Sequence, residues 1–474
     1  MTQAAIPYRP FRTAFAKPVS RLIAAVTAAA IALPPLPAAA QQRSGGLPLI
    51  RDAEIEQLLR DYTRPIFRAA GLHKANLKIV LINDKSFNAF VVDGRRIFVN
   101  TGALAESTTP NQIIGVLAHE TGHIAGGHLS KLRQELANVQ TAALIGMLLG
   151  AAAMAAGGGG AGAGQAGMAA IHASQHAAQR SLLSYQRAHE EAADRAAVKL
   201  LTATGQSAKG MYETFKRFAD QSMFTARFAD PYAQSHPMAN ERIAALTEIA
   251  RTSPHWDKKD PAELQARHDM MRAKLSGFME APQTVARRYP LSDTSLPARY
   301  ARAIATYRHS DIRAAVAQID ALIAAQPNNP YFHELKGQAL LENGRAAEAI
   351  APLRRAVSLA PDPTLIQIML GQALVATNDP RHADEAISIL RNGLAREPDT
   401  PNGYQQLAMA YGRKGDLAHA DLASAQAAFA RGDIKTAREL AARAKTRLPV
   451  GSPGWVRADD IVAAKMPSAP NRRN

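Results

Sequence analysis

Residues 115–128 read GVLAHETGHIAGGH, and this stretch places His119, His123 and His128 within ten positions. His119 and His123 are four residues apart, so on a helix they lie one turn apart on one face and can share a metal ion. Glu120 between them can reach the open coordination position and act as a base. The stretch therefore predicts a catalytic zinc site, against the alternative of an ordinary helix with incidental histidines.

The segments before this stretch predict that it lies on a helix that follows a β-hairpin. LKIVLI at 77–82 and NAFVVDGRRIFVNTG at 88–102 read as strands, and the Asp-Gly pair at 93–94 favours a tight turn. Thr109 is placed to cap the next helix, and Gln112 completes a capping box with it. An apolar run then leads into the histidines, as expected for a helix with one buried face.

A catalytic zinc ion needs a third protein ligand, and the sequence offers two routes to one. The first is a histidine six positions beyond the second one, but that position is Leu129, and His128 falls one residue short. The second is HEEAAD at the end of a later helix, where Glu190 and Asp194 are four apart and share a face. Glu190 can bind the ion, and Asp194 can accept the second N–H of a ligating histidine. Glu191 points about 100° away and is the weaker candidate.

The composition excludes several classes of protein. The chain has 474 residues, of which 47% are hydrophobic, so we expect two or three domains with apolar cores. It contains no cysteine, which excludes disulfide frameworks, cysteine–zinc sites and cysteine nucleophiles. The formal net charge is +16, but the basic residues are scattered and form no nucleic-acid-binding motif, so no nucleic-acid partner is expected.

Residues 1–40 have the organisation of a secretory signal peptide. Basic residues precede the apolar run LIAAVTAAAIAL, and small residues follow it. Three prolines end the apolar run well short of the roughly 20 residues that a membrane span needs. We therefore expect export of the chain, with cleavage after Ala40.

Residues 141–170 are rich in alanine, glycine and methionine and separate the two halves of the predicted zinc site. The interpretation that we favour is a flexible loop at about 150–168 that connects two long helices. Peripheral contact of this loop with a membrane is the alternative. His172 and His176 form a further pair four apart, but no third ligand accompanies them, so a polar helix flank is favoured over a second metal site.

Residues 296–465 carry an in-frame repeat that is typical of tetratricopeptide units. Gly337 and Gly371 are 34 residues apart, and so are Pro327 and Pro361. Small residues recur where paired helices cross, and prolines recur where one unit ends. The pattern predicts an all-α superhelix with a concave groove.

HETGHIAGGH, the later EEAAD and then SHPMANERI resemble the HtpX-like zinc metallopeptidase family. The resemblance implies an α+β zincin-like domain, mostly helical with a small β-sheet, followed by the tetratricopeptide superhelix. It implies one zinc ion per chain on His119, His123 and Glu190, with Glu120 catalytic and His128 outside the ligand set. The predicted order is a signal peptide at 1–40, a metallopeptidase domain at 41–255, a helical linker at 256–295, repeats at 296–465 and a disordered tail at 466–474.

The same resemblance extends the site to residues that spacing alone does not assign. It places His236 near the zinc ion, where it binds the developing oxyanion or occupies the open position and keeps the enzyme latent. Arg242 then orients His236 or a carboxylate. The resemblance also favours an edge strand beside the cleft over an interior strand, so that Asn88, Ala89 and Phe90 bind an extended substrate.

The signal peptide and the repeats narrow the resemblance to periplasmic proteases that assist outer-membrane β-barrel assembly, and it covers nearly everything after residue 45. It implies a zinc-dependent endopeptidase that cleaves misfolded or stalled outer-membrane proteins and whose repeat groove docks the assembly machinery. The alternative function is a chaperone or scaffold with a latent or structural zinc site. Glu120 favours the peptidase, because a structural site needs no base.

Overall fold

The computed structural model describes residues 47–156, 161–224, 232, 235–238 and 240–464. The predicted signal peptide and the predicted C-terminal tail lie outside the described residues. The described residues divide into two compact units, one within residues 49–127 and 190–464 and the other within residues 128–189. The first unit contains both the peptidase-like region and the repeats.

A four-stranded sheet forms one part of the first unit. Its order is β1-β2-β4-β3, with β2 and β4 parallel and the outer pairs antiparallel. β3 is an edge strand, and Phe90 of β3 lies opposite Phe98 of β4, as the predicted hairpin requires. Gly94 in the turn adopts a φ of 71°, which favours glycine. The strands are β1 (Leu49–Ile50), β2 (Lys78–Ile82), β3 (Ala89–Val91) and β4 (Arg96–Asn100).

Helices pack around this sheet and bury an apolar core. The sequence predicted that Thr109 and Gln112 form a capping box at the start of the histidine-bearing helix. The Thr109 side chain makes no capping hydrogen bond, and Gln112 Oε1 instead accepts from the backbone N–H of Thr108 at 2.8 Å. The helices of this part are α1 (Ala53–Ala69), α2 (Thr101–Glu106), α3 (Pro110–Ala125), the end of α5 (Ala161–Ala203), α6 (Lys209–Phe224) and α7 (Asn240–Arg251).

The second unit is a helical hairpin in its described part. It consists of α4 (His128–Ala156) and the portion of α5 up to His189. Ser181 Oγ donates a hydrogen bond to Glu135 Oε1 at 3.4 Å, which joins the two helices. The two long helices agree with the sequence interpretation. The loop that was predicted at about 150–168 is shorter, because α4 extends to Ala156 and α5 starts at Ala161.

The repeat region consists of antiparallel helix pairs. Its glycines have a packing role, because a Cβ added at Gly337 or Gly371 would lie 2.4 Å from the Cγ of Leu353 or Leu390. A 3₁₀ helix at Pro380–His382 lengthens one connection. The helices that follow α7 are α8 (Ala262–Met279), α9 (Pro282–Arg288), α10 (Leu296–His309), α11 (Ile312–Ala325), α12 (Pro330–Glu342), α13 (Ala346–Leu359), α14 (Thr364–Ala376), α15 (Ala383–Arg396), α16 (Pro401–Arg413), α17 (Leu417–Ala430), α18 (Ile434–Lys445) and α19 (Pro453–Ala463).

The region that was predicted as a linker is built into both neighbouring cores. Met271 and Leu275 of α8 belong to the peptidase core, whereas Met270 and Ala273 belong to the core of the first repeats. Lys274 on the same helix is buried, and its Nζ lies 2.8 Å from Asp52 Oδ2 and 3.2 Å from Glu54 Oε2. Tyr300 of the first repeat donates to the same Glu54 oxygen at 2.9 Å.

His268 on α8 joins two elements of the peptidase region through its ring. Its Nε2 lies 2.7 Å from the carbonyl oxygen of Ser107, and its Nδ1 lies 3.0 Å from Tyr62 Oη. A carbonyl only accepts, so Nε2 carries the proton and Nδ1 accepts from the tyrosine hydroxyl. Burial of the ring lowers the pKa of His268 to about 4.

We expect His268 to make the stability of the first unit depend on pH. In the unfolded chain the pKa of this histidine has its ordinary value of about 6.5. Between about pH 4 and pH 6.5 the unfolded chain therefore binds more protons than the folded chain. The contribution of His268 is therefore full above pH ~6.5 and is lost as the pH falls toward the folded value. Between pH 7.5 and pH 5.0 the loss amounts to about 2 kcal/mol.

Urea unfolding at both pH values, for the wild type and for His268→Gln, measures this loss. Glutamine does not titrate in this range, so the variant should be less stable at pH 7.5 but should lose about 2 kcal/mol less on acidification. Equal pH dependence of the two proteins would contradict the assignment.

Candidate metal centre

Helix α3 presents His119 and His123 on one face, as their spacing predicted. Their Nε2 atoms are 3.0 Å apart, and the two rings meet edge to face. His119 is fully buried, and Glu120 has only 1% of its surface exposed. The helix therefore holds the His119 imidazole and the Glu120 carboxyl group away from bulk water, whereas 13% of the His123 side chain is exposed.

Glu190 reaches the histidines from α5, which approaches α3 closely at Gly122. Glu190 Oε2 lies 3.3 Å from His119 Nε2, and Glu190 Oε1 lies 3.4 Å from His123 Nε2. A Cβ added at Gly122 would lie 2.9 Å from the carbonyl oxygen of Ala193, which is too close for any side chain. The glycine between the two histidines thus sets the helix separation that brings Glu190 into reach.

His236 completes the cluster from the segment that precedes α7. Its Nδ1 lies 3.3 Å from His119 Nε2 and 3.0 Å from Glu190 Oε2. His119, His123, Glu190 and His236 each offer a ligand atom, and these atoms lie within 4.8 Å of one another. The sequence resemblance placed His236 near the other three, and the structure brings it into the same cluster.

The donor set and the spacing of its nearest atoms fit a tetrahedral zinc ion. Zinc–nitrogen and zinc–oxygen bonds of about 2.0–2.1 Å with tetrahedral angles separate neighbouring ligand atoms by about 3.3 Å. The closest separations in the cluster run from 3.0 Å between the nitrogens of His119 and His123 to 3.4 Å between His123 and Glu190. Imidazole and carboxylate are also the ligands expected of catalytic zinc.

Asp194 and Arg242 support the cluster from behind. Asp194 Oδ1 lies 2.9 Å from His119 Nδ1, one helical turn from Glu190. Arg242 donates to both oxygens of Asp194, from Nε at 2.6 Å and from Nη2 at 2.8 Å. Its Nη1 lies 2.9 Å from Glu190 Oε2 and donates to the carbonyl of Pro237 at 3.2 Å. Arg242 therefore holds the carboxylates of Asp194 and Glu190 and the backbone next to His236 in one place.

The buried charges shift the acidity of these groups in opposite directions. Burial raises the pKa of Glu120, and the neighbouring His236 and His119 only partly offset this effect. Burial also works against ionised Asp194, but contact with Arg242 outweighs it and holds the pKa of Asp194 below its usual range. One carboxyl group thus gains affinity for a proton, while the carboxylate that faces His119 stays charged.

Two aromatic side chains beside the cluster were missed by sequence reasoning. The Phe215 ring lies 5.2 Å from His119 and meets it edge to face, and Tyr232 lies 4.7 Å from His236. Arg242 lies over the same Phe215 ring at 5.3 Å. Neither aromatic belongs to a metal-ligand motif, so no spacing in the sequence indicated them.

The remaining predicted residues lie at defined places. β3, with Ala89 and Phe90, forms the edge of the sheet, and Asn88 precedes it. His128 starts α4 in the hairpin unit, where its ring centroid is 4.2 Å from that of His189. Within the described residues, the metal-type cluster does not include His128, and it does not include the pair His172 and His176, which are exposed.

Comparison with known proteins finds both peptidase and repeat relatives of this chain. Residues 50–250 match the model for peptidase family M48, and residues 300–364 and 340–409 match tetratricopeptide repeat models. A beta-barrel assembly-enhancing protease from Yersinia pestis is 24% identical over 426 residues, which cover 88% of this chain and 85% of that protein. The protein of the same name from Escherichia coli (strain K12) is 24% identical over 88% of this chain and 84% of its own length.

Two further matches are partial. A putative beta-barrel assembly-enhancing protease from Vibrio cholerae is 27% identical over 207 residues, or 44% of this chain and 41% of that protein. A solved structure titled MamA MSR-1 C2 is 19% identical, with a TM-score of 0.30, and covers 39% of this chain and 99% of its own. The family resemblance seen in the sequence is confirmed by the peptidase and repeat matches together.

Gly122→Ala tests whether the close approach of α3 and α5 forms the metal centre. The added methyl group must push Ala193 away, which we expect to cost about 1–3 kcal/mol of unfolding free energy and to weaken zinc binding. Chemical unfolding and zinc competition against a chelator measure the two effects. Gly412→Ala is the matched control, because Gly412 is also helical but has open space around it. Equal zinc affinity in both variants would contradict the role of Gly122.

Proposed function

Because the chain is a metalloendopeptidase with a peptidase family M48 domain at residues 50–250, we propose that it uses one zinc ion to hydrolyse peptide bonds of misfolded or stalled outer-membrane proteins. The observation that carries this proposal is the convergence of His119, His123 and Glu190 beside a buried Glu120. A structural zinc site needs ligands alone, whereas this one also includes a carboxyl group that can transfer protons.

His119, His123 and Glu190 are the residues that would hold the zinc ion. When bound, zinc supplies Lewis acidity, which polarises the scissile carbonyl and makes water a stronger nucleophile. Asp194 is placed to keep His119 in the tautomer whose Nε2 is free to bind metal, because its Oδ1 lies 2.9 Å from His119 Nδ1 and a carboxylate favours a proton on the nitrogen that faces it. Arg242 in turn neutralises Asp194 and holds it in place.

Glu120 is the proposed general base. Its carboxylate takes a proton from the attacking water and passes it to the nitrogen of the leaving amine, so the peptide C–N bond breaks without release of an amide anion. Burial raises the pKa of Glu120, and this shift strengthens its carboxylate as a base. Glu120 Oε1 lies 3.5 Å from His236 Nε2, so the same histidine faces both the base and the ligand cluster.

We propose that this arrangement of His236 is a latent state. Its Nδ1 contacts Glu190 and His119, so with zinc bound it would take the fourth position that a catalytic zinc site keeps open. Withdrawal of His236 would leave that position to water and substrate and would also uncover Glu120. The contact of His236 with Glu190 and His119 also supports the alternative function, a chaperone or scaffold with a latent zinc site, because a blocked site would not cleave substrate.

Substrate binding is proposed along the free edge of β3. The backbone N–H of Asn100 donates to the carbonyl oxygen of Asn88 at 2.9 Å. In an antiparallel pair only every second residue bonds to the neighbouring strand, so the backbone N–H and C=O groups of Ala89 and Val91 point away from β4. An extended substrate can pair with these groups irrespective of its side chains. Such recognition suits a protease that acts on many unfolded sequences. Phe90, stacked on Phe98 with ring centroids 5.4 Å apart, would add an apolar contact.

We propose that the chain works in the periplasm and that its repeat groove docks components of the β-barrel assembly machinery. The names of the relatives from Yersinia pestis and Escherichia coli support this role, and those relatives match both the peptidase and the repeat regions. Stacked helix pairs form extended concave surfaces that bind proteins. The buried Glu54 contacts both Lys274 of α8 and Tyr300 of the first repeat and so ties the repeats to the peptidase, which would hold a docked partner at a fixed place relative to the catalytic residues.

Glu120→Gln tests the peptidase function. The amide keeps the shape of the side chain but cannot accept the water proton, so cleavage of an unfolded protein should fall by at least about 100-fold. Zinc content, measured by elemental analysis, should remain near one per chain. His119→Ala is the companion variant and should lose the metal as well as the activity. Full cleavage by Glu120→Gln would rule out the proposed mechanism.

His236→Ala separates the latent state from a catalytic role for this histidine. If His236 blocks the fourth position, its removal should raise cleavage of an unfolded protein several-fold, with zinc retained by the other three ligands. If His236 binds the oxyanion, the rate should instead fall by about 100-fold or more. Unchanged activity together with unchanged zinc affinity would exclude both roles.

A further inference from the structure

The helical hairpin of His128–His189 exposes a compact set of large apolar side chains. Leu144, Ile145, Leu148 and Leu149 of α4 have 52%, 52%, 51% and 66% of their surface exposed. Positions i, i+1, i+4 and i+5 fall on one side of a helix. Exposed apolar patches of this kind on a water-soluble surface mark a place of interaction.

The contact between Ser181 and Glu135 sets the register of the hairpin. Leu148 lies 13 residues beyond Glu135 on α4, and Met168 lies 13 residues before Ser181 on α5, so the two are at the same height. Met168 is also exposed, at 47%. The apolar side chains of both helices therefore lie toward the connected end of the hairpin.

Polar and basic side chains of α5 lie between that end and the Ser181 contact. His176 and Arg180 are exposed, and the Arg180 Nε donates to the carbonyl of His176. His172, also exposed, is level with Leu144 by the same register. The exposed apolar side chains are therefore concentrated toward the connected end, and polar and basic side chains follow them along α5.

The charge of the hairpin has one sign. Residues 136–189 contain no aspartate or glutamate, over a length of 54 residues. The hairpin as a whole carries the basic residues Lys131, Arg133, Arg180 and Arg187 against the single acid Glu135. Such a surface attracts an anionic partner and repels a second copy of itself.

We propose that this hairpin inserts its apolar end into the surface of a bilayer that contains anionic lipids, with Arg180, the basic side chain nearest to that end, toward the headgroups and the other basic residues adding attraction from farther along the hairpin. The combination of an apolar end with a cationic flank is the physical pattern of interfacial membrane binding. The contact is peripheral, since no helix among the described residues is long and apolar enough to cross a membrane. Lipid binding goes beyond the proposed peptidase function and needs neither the zinc ion nor Glu120.

Vesicle flotation of the full-length mature chain tests the proposal. Vesicles of phosphatidylethanolamine with phosphatidylglycerol should carry the wild type, and vesicles of phosphatidylcholine should carry several-fold less. Leu148→Ser combined with Leu149→Ser should weaken binding to the anionic vesicles by at least about tenfold, because two large apolar side chains no longer enter the bilayer. Arg180→Gln combined with Arg187→Gln should weaken it several-fold and remove most of its salt dependence.

Met409→Ser combined with Phe429→Ser is the matched control, because both side chains are exposed, at 48% and 43%, but lie on the repeats. This control should bind vesicles like the wild type. Cleavage of a soluble unfolded protein should be unchanged in the Leu148 and Leu149 variant, so lipid binding and peptidase activity can fail separately. Circular dichroism shows whether the helices of each variant remain.

Leu149→Trp measures directly whether this side chain enters the bilayer and how deeply. Its fluorescence should shift to the blue on addition of anionic vesicles and should be quenched by brominated acyl chains. The proposal is overturned if the wild type does not float with anionic vesicles, or if the apolar variant and its repeat control lose binding equally. Self-association that the apolar variant abolishes, without vesicle binding, would assign the surface to a second copy and would also overturn it.

Discussion

The contact between Arg242 and Asp194 is the interaction on which the metal centre depends. Two carboxylates, Glu190 and Asp194, lie one turn apart in a site that water barely reaches, and each would resist ionisation there without a counter-charge. Arg242 supplies a permanent positive charge, bonds to both oxygens of one carboxylate and contacts the other. Removal of one partner from such a buried pair typically costs 3–5 kcal/mol, because the other charge is left uncompensated.

The same pair explains how three separate segments become one site. Asp194 belongs to α5 and faces His119 of α3, while Arg242 lies in the first turn of α7 and donates to the carbonyl of Pro237 beside His236. The ligand cluster is thus fixed by a group that is not itself a ligand. Gly122 sets the helix separation, since it lets α5 approach α3 to within contact of the backbone. Charge and close packing together bring the four ligand atoms within 4.8 Å of one another, with the nearest pairs at the spacing that a small tetrahedral ion requires.

The sequence was informative where local rules decide the structure. Spacing of four placed His119 with His123 and Glu190 with Asp194, and the 34-residue period identified the repeats, because helical geometry and helix crossing act over short distances. The sequence was least informative where distant side chains meet. Phe215 and Tyr232 line the cluster through tertiary packing, and α8 joins two cores although its residues read as a linker. The order of the sheet, with β3 at its edge, likewise depends on pairings between residues far apart.

The wide separation of the metal ligands has a consequence for the life of the chain before it is folded. His123 and Glu190 are 67 residues apart, and no short peptide of this sequence contains the complete ligand set. Closing so large a loop is entropically costly, so the ligands meet only after the helices around them have docked. An unfolded copy of a protease is itself a chain that a folded copy can cleave. Because its ligands meet only at a late-forming contact, the chain would, under the proposed function, acquire activity against unfolded proteins only after it has itself folded.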